Sequence, residues 1–394
     1  MKIQSLTAFH VPIALKRPVR HASHVRYSND TLIVRCELSD GSVGWGEGLP
    51  RPYVTGETIE TVQQHLEQTA FSALTESVRN AREISDLFDQ FKLADVSAPE
   101  NIVTRECFGN AVRCALEVAI LDAACRSEQQ TLGDFISSLP EASGIVRHQQ
   151  TVFYSGVITS EKPLKQIRSA IQMRVFGFRQ IKVKVGTDGI DDARLLRRIR
   201  RFTGQNIDLR LDANEAWHAD DVARKMEPLM QFSPTSLEQP VPHAEVGGLA
   251  AVREKLSVPV MLDESLCSEE DGERALQAGT CDLFNIRLSK CGGIRNSVRL
   301  AAMAKAGGLG YQLGSQVGET GILSAAGRHF ACNIDDIRYL EGSFDRFLVR
   351  ETLTEENLTF SRMGRAPRLN SPGLGITVNE DRVRAIAKHR LDLI

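Results

Sequence analysis

Along the first fifty residues apolar and polar positions alternate in short runs, "KIQSLTAFHVPI", "TLIVRCEL" and "SVGWGEG", the last two separated by the turn-forming "SDG". Alternation of period two around such a turn predicts a small antiparallel sheet. From about residue 57 to 127 the period becomes helical. In "NAVRCALEVAILDAACR", Ala111, Ala115, Val118, Ala119, Leu121 and Ala123 build a wide apolar face that predicts a packed helix. A sheet followed by helices is read as an α+β unit of its own, residues 1–127.

Beyond it one pattern recurs in architecture though not in residue identity. Strand-like stretches with polar residues at their carboxyl ends run "RQIKVKVG" to Lys184, "IDLRLDAN" to Asp212, "TSLEQP" to Glu238, "VPVMLDES" to Asp263 and "LFNIRLS" to Arg287, at spacings of 28, 26, 25 and 24 residues. Each interval accommodates a helix and a return strand. "DARLLRRIRRF", "DDVARKMEPLM" and "SVRLAAMAKAG" supply helices, while "TVFYSG" before the series and "LGYQLGS" and "IRYLEGS" after it bring the strands to eight. The expectation is an α/β fold, a parallel (β/α) barrel over residues 128–355. A doubly wound open sheet is the alternative, disfavoured because no glycine-rich phosphate fingerprint follows an early strand. The last segment, 356–394, reads as a turn, a short strand and a helix that pack back on the first unit.

Strand alternation then sorts the side chains. Lys182 and Lys184 share one face while Ile181, Val183 and Val185 take the other, toward the helices. By the same count Arg210, Asp212 and Asn214 share a face, as do Ser236 with Glu238 and Met261 with Asp263. Barrel active sites lie at the carboxyl ends of the strands. Three carboxylates delivered there by consecutive strands repel one another without a cation, and hard oxygen donors suit Mg²⁺, with Mn²⁺ an alternative. A lysine is a base only in its neutral form, which a neighbouring ammonium, a divalent cation and partial desolvation all favour. The chemistry indicated is proton abstraction from carbon next to a carboxylate, with the metal stabilising the developing enediolate. Two lysines that hold a phosphate, or form a Schiff base, are the competing readings. In "FNIRLSKCGG", Arg287 and Lys290 stand three apart and so on opposite faces of a strand.

Composition narrows the partners. With 48 basic and 50 acidic residues among 394 and a formal net charge of -2, nothing draws the chain to nucleic acid or an anionic membrane. A small carboxylate substrate is expected, and a homo-oligomer. The start "MKIQSLTAFHVPIALKRPVRH" breaks its apolar runs with proline and charge, which argues against a secretory signal or a span and for a cytoplasmic protein. The eight cysteines form no C-x-x-C pair and are read as buried free thiols.

"GWGEG", "ALEVAILDAA", the K-x-K of "KVKVG", "DANEAW", "EQP", "DES", "SKCGG" and "PGLG" stand in an order that resembles the enolase superfamily, and within it the muconate-lactonizing subgroup. The resemblance implies an N-terminal capping domain closing over a modified TIM barrel, with a metal held by Asp212, Glu238 and Asp263. It implies Lys184 as the acid/base, Lys182 as its support, and Asn214 and Glu264 close to the metal. His21, Ser23, His24, Arg51 and Tyr53, on two capping loops, are placed to touch substrate, and Glu319 is a polar contact or proton-relay residue.

One departure matters. The subgroup pattern K-x-x-K-x-G-G carries Arg287 at its first lysine, the one expected to face the chemistry, while Lys290 should face away. Arginine stays protonated, so it pairs with carboxylates or stabilises an enolate but does not take a proton from carbon. The pattern therefore favours a one-lysine cycloisomerase or lyase. The alternatives are a racemase or epimerase of acyl amino acids or dipeptides, and a non-catalytic relative that binds a metal or carboxylate ligand. "LGYQLGSQVGETG" lacks the histidine of sugar-acid dehydratases, and "YLEGSFD" lacks the Asp-x-Asp of dipeptide epimerases.

Overall fold

Three glycines determine how the N-terminal sheet is covered. The computed structural model describes residues 1–20, 25–100, 102, 104–159 and 162–394. Strands β1 (Ile3–Arg20), β2 (Val25–Leu38) and β3 (Val43–Gly48) form an antiparallel meander, followed by helices α1 (Ile59–Gln68), α2 (Ala81–Gln90) and α3 (Asn110–Ser127). A Cβ at Gly44, Gly46 or Gly48 of β3 would lie 2.1 Å from Ala123 N, 1.9 Å from Ala115 O or 2.0 Å from Ala111 O. Only glycine lets the alanine face of α3 lie directly on the strand.

Strand β4 (Thr151–Phe153) precedes eight parallel strands: β5 (Gly156–Ile158), β6 (Gln180–Lys184), β7 (Asp208–Asp212), β8 (Ser236–Glu238), β9 (Val260–Leu262), β10 (Leu283–Ile286), β11 (Gly310–Leu313) and β12 (Ile337–Leu340). They pair in sequence order, and a backbone hydrogen bond from Ser155 N to Leu340 O at 2.8 Å brings the first against the last. Helices fill the intervals, including Asp192–Thr203, Ile294–Ala306 and Gly321–Asn333. The fold class is thus a (β/α) barrel with a separate N-terminal α+β sheet domain, as expected. One detail differs. Residues 151–153 of "TVFYSG" do not enter the barrel; they pair antiparallel with β13 (Arg365–Pro367), and the first barrel strand starts at Gly156. Near the end of the chain, β14 (His389–Asp392) joins the N-terminal sheet as the antiparallel neighbour of β1, from Thr7 opposite Asp392 to His10 opposite His389.

Buried carboxylates seal the two layers. Glu47 of β3 accepts from Thr320 N at 2.8 Å and Leu323 N at 3.0 Å, at the start of the barrel helix Gly321–Asn333. Glu117 of α3 accepts from Ile294 N and, at 3.2 Å, from Arg295 N at the start of Ile294–Ala306. Glu57 does the same for α3 itself, through Ala111 N at 3.0 Å. Helix starts expose unpaired N–H groups, and a carboxylate satisfies them. Burial pushes all three carboxyls up to about 7, the backbone donors opposing it only in part. All eight cysteines are buried and free. Among the described residues no helix is long and apolar enough to cross a membrane.

Candidate active site

Parallel pairing sets the side chains of the barrel mouth in rungs. Lys184 is in register with Asp212, and Asp212 with Glu238. Glu238 pairs with Met261, so Asp263 stands two residues further along and just beyond the end of β9. Ile181, Val183, Leu209 and Leu211 are buried on the opposite faces, against the helices. Asp212, Glu238 and Asp263 are each at most 1% exposed, so their charges have to be met by protein groups.

Lysine and arginine side chains meet them. Lys182 Nζ lies 3.0 Å from Glu238 Oε1, 2.9 Å from Glu341 Oε1 and 3.3 Å from Asp212 Oδ2. Burial disfavours the Lys182 ammonium, but the charges of Glu238, Glu341 and Asp212 outweigh it and hold the lysine above its usual value. Burial works against the Asp212 carboxylate as well, and there Lys182 and Lys184 win, keeping it below its usual value. For Glu238 the balance reverses: burial exceeds the pull of Lys182 and its value rises. Lys184 itself is half-buried at the last position of β6.

Arg287 faces this cluster. Its guanidinium is bonded to the Asp263 carboxylate, and Nη2 lies 3.8 Å from Glu238 Oε1. Lys290 does not face away. Strand β10 ends at Ile286, so strand alternation no longer applies, and a turn curls Lys290 back beneath the mouth. Its Nζ bonds Asp263 O at 2.6 Å, Asp263 Oδ1 at 3.0 Å and Asn285 O at 2.8 Å, holding Asp263 from below.

Sequence reasoning missed Glu341. It follows β12 and joins Lys182 to Arg210, whose Nη2 is 3.0 Å away and whose guanidinium lies 4.4 Å over the Tyr339 ring. Despite burial, Lys182 and Arg210 hold its carboxyl down at about 2. Asn285 is also part of the cluster, donating to Glu238 Oε1 at 3.0 Å. The available signal was the strand "IRYLEGS" itself, since a polar residue at its carboxyl end belongs to the mouth like the others.

The remaining expected site residues divide. Asn214 donates its N–H to Asp212 Oδ1 at 3.0 Å, and its amide is 3.4 Å from Glu264 Oε1. Burial, then Asp212 and Glu238, pushes Glu264 up to about 7. Arg51 is buried and ties the capping loop to the barrel, donating to Val317 O at 2.8 Å and Asn29 Oδ1 at 3.1 Å. Tyr53 is half-buried beneath Arg26, whose guanidinium is 5.7 Å from the ring centroid. Glu319 accepts from Gln316 N at 2.7 Å; burial pushes it up to about 8, while Arg287 and Arg51 pull the other way. His21, Ser23 and His24 lie outside the described residues.

The donor set fits a divalent cation in kind: three buried carboxylates from three successive strands, all hard oxygens. With Lys182 and Arg287 bonded among them, no three such side chains among the described residues are gathered around one point.

Comparison with known proteins places the chain. It is 28% identical over 390 residues to an N-succinyl-L-Arg/Lys racemase of Bacillus cereus, covering 97% of each. It is 27% identical to muconate cycloisomerase 1 of Rhodococcus opacus, covering 98% of each. A crystal structure of a dipeptide epimerase from Enterococcus faecalis V583, complexed with Mg and the dipeptide L-Leu-L-Tyr, superposes with a TM-score of 0.83 at 25% identity, over 96% of this chain and 100% of that one. Residues 3–137 match the mandelate racemase / muconate lactonizing enzyme N-terminal domain and residues 165–382 the enolase C-terminal domain-like family, so the chain belongs to the enolase superfamily of enzymes.

Proposed function

We propose that this protein is an isomerase that moves the proton on the carbon next to a carboxylate in an N-acylated amino acid or dipeptide. The observation that carries this reading is the single rung of Lys184, Asp212 and Glu238 across three parallel strands, in a chain whose full-length relatives include an N-succinyl amino acid racemase. Lys184 is the group that takes or returns the proton. Lys182 is committed to Glu238, Glu341 and Asp212 and so supports the site without exchanging its proton. Asp212, Glu238 and Asp263 would hold Mg²⁺, or Mn²⁺, which supplies charge to stabilise the substrate's developing negative oxygen. Arg287 stays protonated and steadies a carboxylate. Glu319, close enough to Arg287 to feel its charge, is the group assigned to the second proton transfer, its protonated form favoured by burial.

A second reading rests on Arg287 itself. With an arginine where the subgroup carries a lysine, a one-base cycloisomerase or lyase needs nothing from the second face, and muconate cycloisomerase 1 matches the chain along its whole length. Proton NMR in D₂O separates the two. N-succinyl-L-arginine and its D isomer, and L,L and L,D dipeptides, are incubated with enzyme and Mg²⁺, with cis,cis-muconate assayed in parallel. Exchange of both stereoisomers supports the isomerase; exchange of one only, or turnover of muconate, supports the one-base reading. Lys184→Ala should lower the exchange by about 10²–10⁴-fold, the usual worth of a positioned acid/base. Near-normal exchange in that variant sinks the role given to Lys184.

A further inference from the structure

Four carboxylates at the barrel mouth, Asp212, Glu238, Asp263 and Glu341, are in ion-pair contact with four cations, Lys182, Arg210, Arg287 and Lys290. The directly paired set sums to zero formal charge. Flanking it are Glu264, beside Asn214, and Lys184, next to Asp212 in the pairing of the strands. A divalent cation entering this set brings two positive charges to a place already neutral, where every carboxylate is at most 7% exposed and water cannot screen the excess. A lysine at such a position can shed its proton and restore the balance. An arginine cannot, because the guanidinium does not deprotonate in proteins.

We propose that Arg287 is a built-in competitor of the metal: its guanidinium stands between Asp263 and Glu238, and metal binds there only by expelling it. The ion pair with Asp263 and the 3.8 Å approach to Glu238 put the guanidinium on two of the three carboxylates that would bind the metal. The other three cations hold the cluster from elsewhere. Lys290 grips Asp263 from the turn below it, Lys182 sits deeper on β6, and Arg210 is wedged between Glu341 and Tyr339. The side chains of all three are at most 6% exposed, whereas that of Arg287 is 12% exposed, at the mouth. Arg287 is therefore the residue that sets metal affinity in this chain.

The inference rests on reading Asp212, Glu238 and Asp263 as metal ligands, and the test separates the two. Mn²⁺ is titrated into wild type, Arg287→Met and Asp212→Asn, and free Mn²⁺ is followed by its EPR signal, without substrate and without turnover. Arg287→Met should bind Mn²⁺ at least tenfold more tightly than wild type, because its cluster carries one net negative charge before metal arrives. Far-UV circular dichroism checks that the variant is folded, and Arg287→Gln replaces it if it is not. Equal or weaker binding by the folded Arg287 variant, with wild type still binding through Asp212, overturns the competitor role alone. Binding that Asp212→Asn leaves intact, or no binding by any of the proteins, overturns the ligand assignment and the inference with it.

Discussion

Carboxylates are buried in two regions of this molecule and are held there by different partners. In the seam between the capping sheet and the barrel, Glu47 and Glu117 accept from backbone N–H groups at helix starts, and their values rise to about 7. In the barrel mouth Asp212 and Glu341 meet lysine and arginine, and their values fall. Burial is almost complete in both places, so it does not separate them; the partner does. Partial charges on N–H groups offset only part of the loss of water; full cations more than offset it at Asp212 and Glu341, though not at Glu238, where burial exceeds the pull of Lys182 and the neighbouring Asp212 and Glu341 add to it. The seam carboxyls are thus structural clasps that tolerate neutrality, whereas Asp212 and Glu341 in the mouth are kept charged by the cations beside them.

The largest effect should come from the mouth. Lys182→Met strips Asp212, Glu238 and Glu341 of their shared ammonium and should cost about 3–5 kcal/mol in urea unfolding, the range for a broken buried ion pair. A smaller cost than in the seam would break the comparison. Next, Glu47→Ala leaves Thr320 N and Leu323 N without their acceptor and should cost about 1–3 kcal/mol, with Glu47→Gln losing less because it keeps an oxygen acceptor. Smallest is the pH dependence of the seam. Glu117 has a folded value near 7 against an ordinary 4.5, so the folded protein holds that proton through a window where the unfolded chain has lost it. Its contribution is complete below about 4.5 and is lost as pH rises through 7. The stability advantage of wild type over Glu117→Gln should therefore shrink from pH 5 to pH 8 by on the order of 1 kcal/mol, read by urea unfolding at each pH. Asp212 and Glu341, lowered when folded, work in the opposite sense and lose their contribution on acidification. An advantage that grows toward pH 8 would mean the seam carboxyls are charged like those in the mouth.

What could be read from the chain follows from distance. Period-two alternation within a strand is local, so the shared inward faces of Lys184, Asp212 and Glu238 were legible, while alternation only set Arg287 and Lys290 on opposite faces and the family resemblance chose Arg287 as the inward one. The outward reading of Lys290 failed because alternation was carried four residues past Ile286, into a turn. Glu341 was passed over although "IRYLEGS" offers the same strand-end signal as the others; what it does there comes from Lys182, 159 residues away. The seam is the extreme case. "GWGEG" and "ALEVAILDAA" were each conspicuous as motifs, yet that the glycines of one fit the alanines of the other, and that Glu47 caps a helix 273 residues on, is written only in the packed structure.

Strand β14 carries a consequence for how the molecule is made. Its pairing with β1 joins residues 385 apart, with Thr7 donating to the Asp392 carboxylate at 2.9 Å. A ribosome extends a chain by roughly 5–20 residues per second, so β1 waits on the order of tens of seconds for this neighbour. During that interval one side of β1 is an open template for other chains. The barrel helices that Glu47 and Glu117 clasp also precede β14 in the chain, so the groups that anchor the cap to the barrel are all made before its sheet can be completed. Strand β1, made before the whole barrel, is thus among the last elements to find all of its partners.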